Sequence, residues 1–178
     1  SARLTHNPYV IGFDPLNEPY VGNWLRDPQQ LLPGHFDRSR LAPMYTRVFE
    51  KYQANDKDSI MFFEPGTFPD VLGYFGGYIV PAGFDTPPGG EYGSPNHVFN
   101  DHTYCCQLNP TVCALGEPSV DLASECYDWH VKRIGTRSSD AERMGVPLII
   151  SEFGACLTEG PCTQEIRQVT EVSDTYLA

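Results

Sequence analysis

The sequence predicts an α/β fold built on a parallel sheet with helices on both faces, and three observations carry that expectation. Of four short predicted strands, three are mostly apolar instead of alternating with polar residues, the mark of strands buried on both sides. Between and after them, apolar residues recur at steps of three and four, which is helical spacing. The chemically unusual residues Asn17, Glu18, Glu64, His102, Tyr104 and Glu152 all fall at C-terminal ends of the predicted strands. Parallel α/β folds build their sites at that end.

Taken in order, Tyr9 to Leu16 (YVIGFDPL) reads as a buried strand running into Asn17-Glu18-Pro19. After a Gly/Pro-rich loop, Leu41, Met44, Tyr45, Val48, Phe49 and Tyr52 form one stripe of a helix, with Pro43 near its start. Ser59 to Phe63 (SIMFF) is a second buried strand, ending in Glu64-Pro65-Gly66. The stretch from Phe68 to Asn96 reads as loop, and Val98 to Tyr104 as a third strand. A helix is expected between Leu122 and Met144, with Leu122, Cys126, Trp129 and Arg133 on one side and Gly135 as a point of interruption. Pro147 to Ser151 is the fourth strand. A last helix from Thr163 carries Ile166, Val169, Ser173 and Leu177 on its stripe. No internal repeat or domain boundary shows, so residues 1–178 are expected to form part of one domain.

Composition narrows the function classes. At 40% hydrophobic and 20% charged residues the chain is globular in composition, and its 16 Pro and 16 Gly imply long shaped loops. No apolar stretch is long enough to span a bilayer. The chain opens on Ser-Ala-Arg-Leu-Thr-His-Asn-Pro, which lacks the regions of a signal peptide and reads as mid-protein sequence. A net charge of −11 argues against a nucleic-acid partner, because phosphate binding needs a basic surface. The six cysteines lie at 105, 106, 113, 126, 156 and 162 without the paired Cys-x2-Cys spacing of a zinc site. Disulfides are expected, hence an extracellular, lysosomal or secretory compartment. Cys156 and Cys162 bracket a short loop and suggest a local bridge; the pairing of the other four is open. His35, His97 and His130 show no metal-ligand spacing, and no metal or cofactor is expected.

The paired glutamates point to glycosidic bond hydrolysis. That reaction needs one carboxylic acid to protonate the leaving oxygen and one carboxylate to attack, the two about 5–5.5 Å apart in a retaining enzyme. The acid's pKa must be raised by its surroundings while the nucleophile stays ionised. Glu18 or Glu152 taken alone is an ordinary solvated carboxylate or helix-capping acid. Their local contexts separate them from that background.

Asn17-Glu18-Pro19 and Ser151-Glu152-Phe153-Gly154 resemble the two signatures of clan A glycoside hydrolases, especially family 5. The resemblance implies that Glu18 ends the fourth strand of a (β/α)8 TIM barrel as general acid/base, and that Glu152 ends the seventh as nucleophile. Asp101-His102-Thr103-Tyr104 resembles the sixth-strand motif, in which the Tyr bonds the nucleophile and the His lines the sugar subsite. Asn17 matches the residue that bonds the sugar 2-hydroxyl. Glu64, ending the fifth strand, is either a substrate contact or a structural hydrogen-bonding group, and Trp24 is a candidate for stacking on substrate. Within the family, Gly12 to Pro19 with Gly22-Asn23-Trp24, Phe62-Phe63-Glu64-Pro65, Gly83-Phe84, Pro88-Gly89-Gly90 and His102-x-Tyr104-Cys105 resemble the endoglycoceramidase-like and glucosylceramidase-like group.

That resemblance implies a retaining β-glycosidase cutting the sugar–ceramide linkage of glycosphingolipids, with a glycolipid or oligosaccharide substrate and contact with a membrane or lipid micelle. The alternatives are a family 5 β-glycanase of cellulase or mannanase type, and an inactive sugar- or lipid-binding protein on the same scaffold. The aromatic run Phe68, Tyr74, Phe75, Tyr78 and Phe84 is open to two readings, loop packing or an apolar platform for substrate. A whole barrel takes about 250 residues. The chain is therefore expected to supply only strands four to seven, without the Arg and His of the early strands or the Trp of the eighth, and to hydrolyse little alone.

Overall fold

The computed structural model describes residues 7–67, 79–105, 120–154 and 161–178. Four strands, β1 (Gly12–Phe13), β2 (Ile60–Phe63), β3 (His97–Thr103) and β4 (Leu148–Phe153), pair in parallel in the order β1-β2-β3-β4. Helices α1 (Ala42–Asn55), α2 (Ala123–Met144) and α3 (Pro161–Tyr176) fill the connections and the C-terminal end. α1 lies between β1 and β2 and α2 between β3 and β4, and sequential parallel strands that are spatial neighbours are the expected α/β arrangement.

β1 is shorter than its apolar run suggests. Tyr9 is 92% and Ile11 67% exposed, and past Phe13 the chain bends where Asp14 Oδ1 accepts the Leu16 N–H at 3.2 Å. Pro8 and Pro15 bracket the segment and limit its ladder. Gly12 belongs to this pairing, because a Cβ there would overlap the Ile60 carbonyl.

The stripe read for α1 is the stripe that packs. Leu41 and Tyr45 join Met61, Phe63, Phe84, Phe99 and Met144 in the main core, with Met44, Val48, Phe49 and Tyr52 around them. Phe84 is 1% exposed and meets Phe63 edge-on at 5.4 Å, so it packs the core and offers no platform to substrate. Phe68, Tyr74, Phe75 and Tyr78 lie outside the described residues. α1 is entered through a π-helical turn at Asp37–Leu41, whose buried Asp37 accepts the backbone N–H groups of Gly66 (2.8 Å) and Gly83 (2.7 Å). Burial raises the Asp37 pKa, and those two backbone bonds oppose the rise.

α2 runs through Gly135 without interruption and ends at Gly145, which takes the left-handed cap conformation at φ 70°. Gly135 gives room for Tyr176, whose hydroxyl a Cβ would meet at 2.9 Å. The stripe read for α3 is corrected. Val169 is buried as read, but Ile166 is 41% and Leu177 91% exposed, and the inward face is completed by Glu165 and Val172. Cys105 pairs with Cys126, tying the end of β3 to the first turn of α2. The expected Cys156–Cys162 bridge lies outside the described residues.

Candidate active site

The C-terminal ends of the strands gather Glu18, Glu64, His102, Tyr104 and Glu152. Glu18 stands in the loop after β1 with φ 45°, a left-handed conformation that costs a non-glycine residue about 1–2 kcal/mol. Glu152 projects from β4. Their side chains are 39% and 44% exposed, open to a ligand above them.

His102, only 3% exposed, holds the two carboxylates together. Its Nδ1 lies 3.1 Å from Glu18 Oε1 and 3.6 Å from Glu152 Oε2, and its Nε2 lies 3.5 Å from Glu64 Oε1. One oxygen of Glu18, one of Glu152 and a His102 nitrogen all fall within 4.8 Å of one another. Three such donors could also face a cation, but the ring nitrogen already bonds Glu18 and Tyr104 already bonds Glu152. The grouping therefore reads as a hydrogen-bonded carboxylate pair.

Tyr104 donates its hydroxyl to Glu152 Oε2 at 2.9 Å. Its pKa is raised, first by burial and then by that bond and the Glu152 charge, so the phenol remains a donor at neutral pH. Glu64 is 3% exposed and accepts the Glu18 backbone N–H at 2.9 Å. Burial, then the neighbouring Asp14, pushes its carboxyl from 4.5 up to about 9, so it carries a proton at neutral pH.

The faces of β3 explain how the site is aimed. Asn100 and His102 point toward the site, whereas Asp101 and Thr103 point toward α2. Asp101 bonds Arg133 (2.8 Å) and Arg137 (3.1 Å), and Thr103 bonds His130 at 2.8 Å. Burial disfavours charge on Asp101, but the two guanidiniums outweigh it and hold its pKa below the ordinary value. Arg133 also donates to the His102 carbonyl at 2.6 Å, which fixes the backbone under the imidazole.

Asn17 and Trp24 are not drawn into this network. Asn17 is exposed beside Glu18 and Trp24 is 36% exposed in the following turn. Among the described residues no side-chain hydrogen bond or ring contact joins either one to the carboxylates. Sequence reasoning missed Asp14 and Asn100. Asn100 donates to Asp14 Oδ2 at 2.8 Å and lies 3.4 Å from Glu64 Oε1. The available signal was period two, since Asn100 precedes His102 by two positions and shares its face.

A parallel α/β sheet presenting two partly exposed carboxylates at its C-terminal edge is an arrangement that glycoside hydrolases use. The cellulase family model (glycosyl hydrolase family 5) matches residues 1–177, and the chain belongs to that family. Over 95 residues it is 35% identical to an endoglycoceramidase of Cyanea nozakii, covering 53% of this chain and 17% of that protein. An endoglycoceramidase of Hydra vulgaris is 31% identical over 97 residues, again 17% of its length. Endo-glycoceramidase II from Rhodococcus sp., solved as a lactosyl-enzyme intermediate, superposes with a TM-score of 0.68 at 22% identity. That alignment covers 99% of this chain and 35% of the solved one. The same enzyme in a ganglioside GM3 complex gives 0.65 at 20% identity. The fold is thus a segment of a (β/α)8 barrel, about a third of the solved neighbour's length.

Proposed function

We propose that this chain carries the catalytic glutamates of a retaining β-glycosidase that cuts the sugar–ceramide linkage of glycosphingolipids. The observation that carries the reading is the approach of the Glu18 and Glu152 oxygens to within 4.8 Å. That is close to the separation of about 5–5.5 Å used for double displacement. Glu152 attacks the anomeric carbon while Glu18 gives its proton to the departing ceramide oxygen. A water then enters, Glu18 takes its proton, and the Glu152–sugar bond breaks with retention of configuration. Tyr104 steadies the Glu152 carboxylate before attack, and His102 lies between the two acids. Asn17 is the candidate for the sugar 2-hydroxyl, and Trp24 for stacking.

The glycolipid substrate is supported by the endoglycoceramidases among the relatives, one of them bound to ganglioside GM3. Contact with a membrane or micelle surface follows from such a substrate, although no helix among the described residues is long and apolar enough to cross a membrane. The Cys105–Cys126 disulfide supports an extracellular, lysosomal or secretory location. A net charge of −11 supports a partner that is not nucleic acid.

The family model's cellulase description favours a second substrate, a soluble β-glucan, and one assay separates the two. The protein from its complete reading frame is offered a fluorescent glycosylceramide and a soluble β-glucan. Release of ceramide is expected; turnover of glucan alone would move the assignment to a glycanase. Glu152→Gln should lower kcat by about a thousandfold or more. Glu18→Gln should lose about 10²–10⁴-fold on the lipid, and much less on an aryl glycoside whose leaving group needs no proton. An unchanged rate for Glu152→Gln would exclude it as nucleophile.

A further inference from the structure

We infer that Glu64, together with Asp14 and Asn100, is a positioning clamp for the proton shuttle Glu18 and for His102, and not a substrate contact. The inference rests on reading Glu18 as that shuttle. Glu64 is 3% exposed beneath the two open carboxylates, so a sugar resting on Glu18 and Glu152 does not reach it. Both of its oxygens are turned inward. Oε2 takes the Glu18 N–H at 2.9 Å, while Oε1 lies 3.5 Å from His102 Nε2 and 3.4 Å from Asn100 Nδ2.

The backbone it grips needs gripping. Glu18 has φ 45°, and Pro19 after it offers no N–H, so the Glu18 amide is the handle on the turn. Three residues beyond Glu64, the Thr67 N–H donates to the Pro19 carbonyl at 2.8 Å. The segment leaving β2 therefore holds the turn on both sides of Glu18. Asn100 extends the clamp to Asp14 Oδ2 at 2.8 Å, at the root of the same turn.

Asp14 and Glu64 share the Asn100 amide, at 2.8 and 3.4 Å, and burial, then the Asp14 charge, favours the protonated form of Glu64. The groups facing Glu64 are Asp14 and Glu18 from the β1 loop, Tyr45 from α1 and His102 from β3, with the Asp101 charge on the far face of β3. Arg133 and Arg137 lie behind Asp101, and Glu152 lies across His102. Deprotonation of Glu64 sets it against Asp14, while the bond from the Glu18 N–H favours the ionised form.

The test compares Glu64→Gln and Glu64→Ala in the protein from its complete reading frame, alongside NMR on the unmodified protein. Gln keeps an acceptor for the Glu18 amide and cannot ionise. It should hold kcat within about threefold. Ala should lower kcat by about 5–150-fold with little change in KM, as expected for an orphaned buried N–H. A rise in KM at constant kcat in both variants would make Glu64 a substrate contact and overturn the inference. So would a Gln variant as impaired as Ala. Independently of turnover, the Glu64 13C carboxyl signal, identified by its loss in Glu64→Gln, should titrate near pH 9, and the Glu18 amide should follow it. A Glu18 amide that stays still while the Glu64 carboxyl titrates overturns the clamp. If the wild type cleaves no glycoside, the functional reading fails, and these resonances still decide whether Glu64 holds Glu18.

Discussion

Tyr104 reaches Glu152 from the residue just past β3, and its hydroxyl donates to that carboxylate at 2.9 Å. A hydrogen bond to a charged group contributes about 1.5–3 kcal/mol. Tyr104→Phe should therefore reduce kcat by about 10–100-fold with KM nearly constant, read from steady-state kinetics on glycosylceramide. The meeting of Glu18, Glu152, His102 and Tyr104 was legible because each sits in a recognisable short pattern at the end of a strand. Asp14 and Asn100 were not. They act only through Glu64, and their meeting depends on three separate strands lying side by side. Glu64 was visible as a candidate, but whether it faced the ligand or the interior could be decided only by its 3% exposure.

Among the elements, α2 carries most of the support beneath β3. His130 is fully buried, its Nδ1 2.8 Å from Thr103 Oγ1, and burial, then Arg133, pulls its pKa from 6.5 down to about 4. A depressed histidine contributes its stability fully above the unfolded value and loses it as protonation is forced on acidification. Stability should thus fall as pH drops from about 6.5 toward about 4, and His130→Asn should flatten part of that slope. Denaturant titrations of both proteins at stepped pH would show it; equal slopes would remove His130 from the account.

The contrast between α1 and α3 shows what periodicity can deliver. α1 has a dense apolar stripe with only one way to face the core. α3 is sparse, and its true inward face includes the charged Glu165, which accepts the Cys105 N–H at 2.9 Å. No hydropathy pattern assigns a glutamate inward, so the neighbouring stripe through Ile166 and Leu177 looked equally good.

For the whole molecule, the parallel order of the strands was readable from the alternation of strand and helix, since each crossover returns the chain in the same direction. The disulfide pairing was not, because it depends on which ends the sheet brings together. Cys105–Cys126 closes a loop with a sequence separation of 21 directly after Tyr104. Loop closure of that size stabilises by about 3 kcal/mol in the chain-entropy account. Cys105→Ala with Cys126→Ala should lower unfolding stability by about that amount, and reductant should then shift the double variant less than the wild type.

The ladder between β3 and β4 slips by one residue, pairing Asp101 with Ile150 but His102 with Glu152. In a regular ladder Ser151 would stand beside His102, and Glu152 would turn with Thr103 toward α2. Ser151 is thus the extra residue of a bulge, and it decides which side of the sheet receives the Glu152 carboxylate. In the history of such a strand, gaining or losing a single residue counts for more than exchanging one side chain for another, because it carries a carboxylate from one side of the sheet to the other.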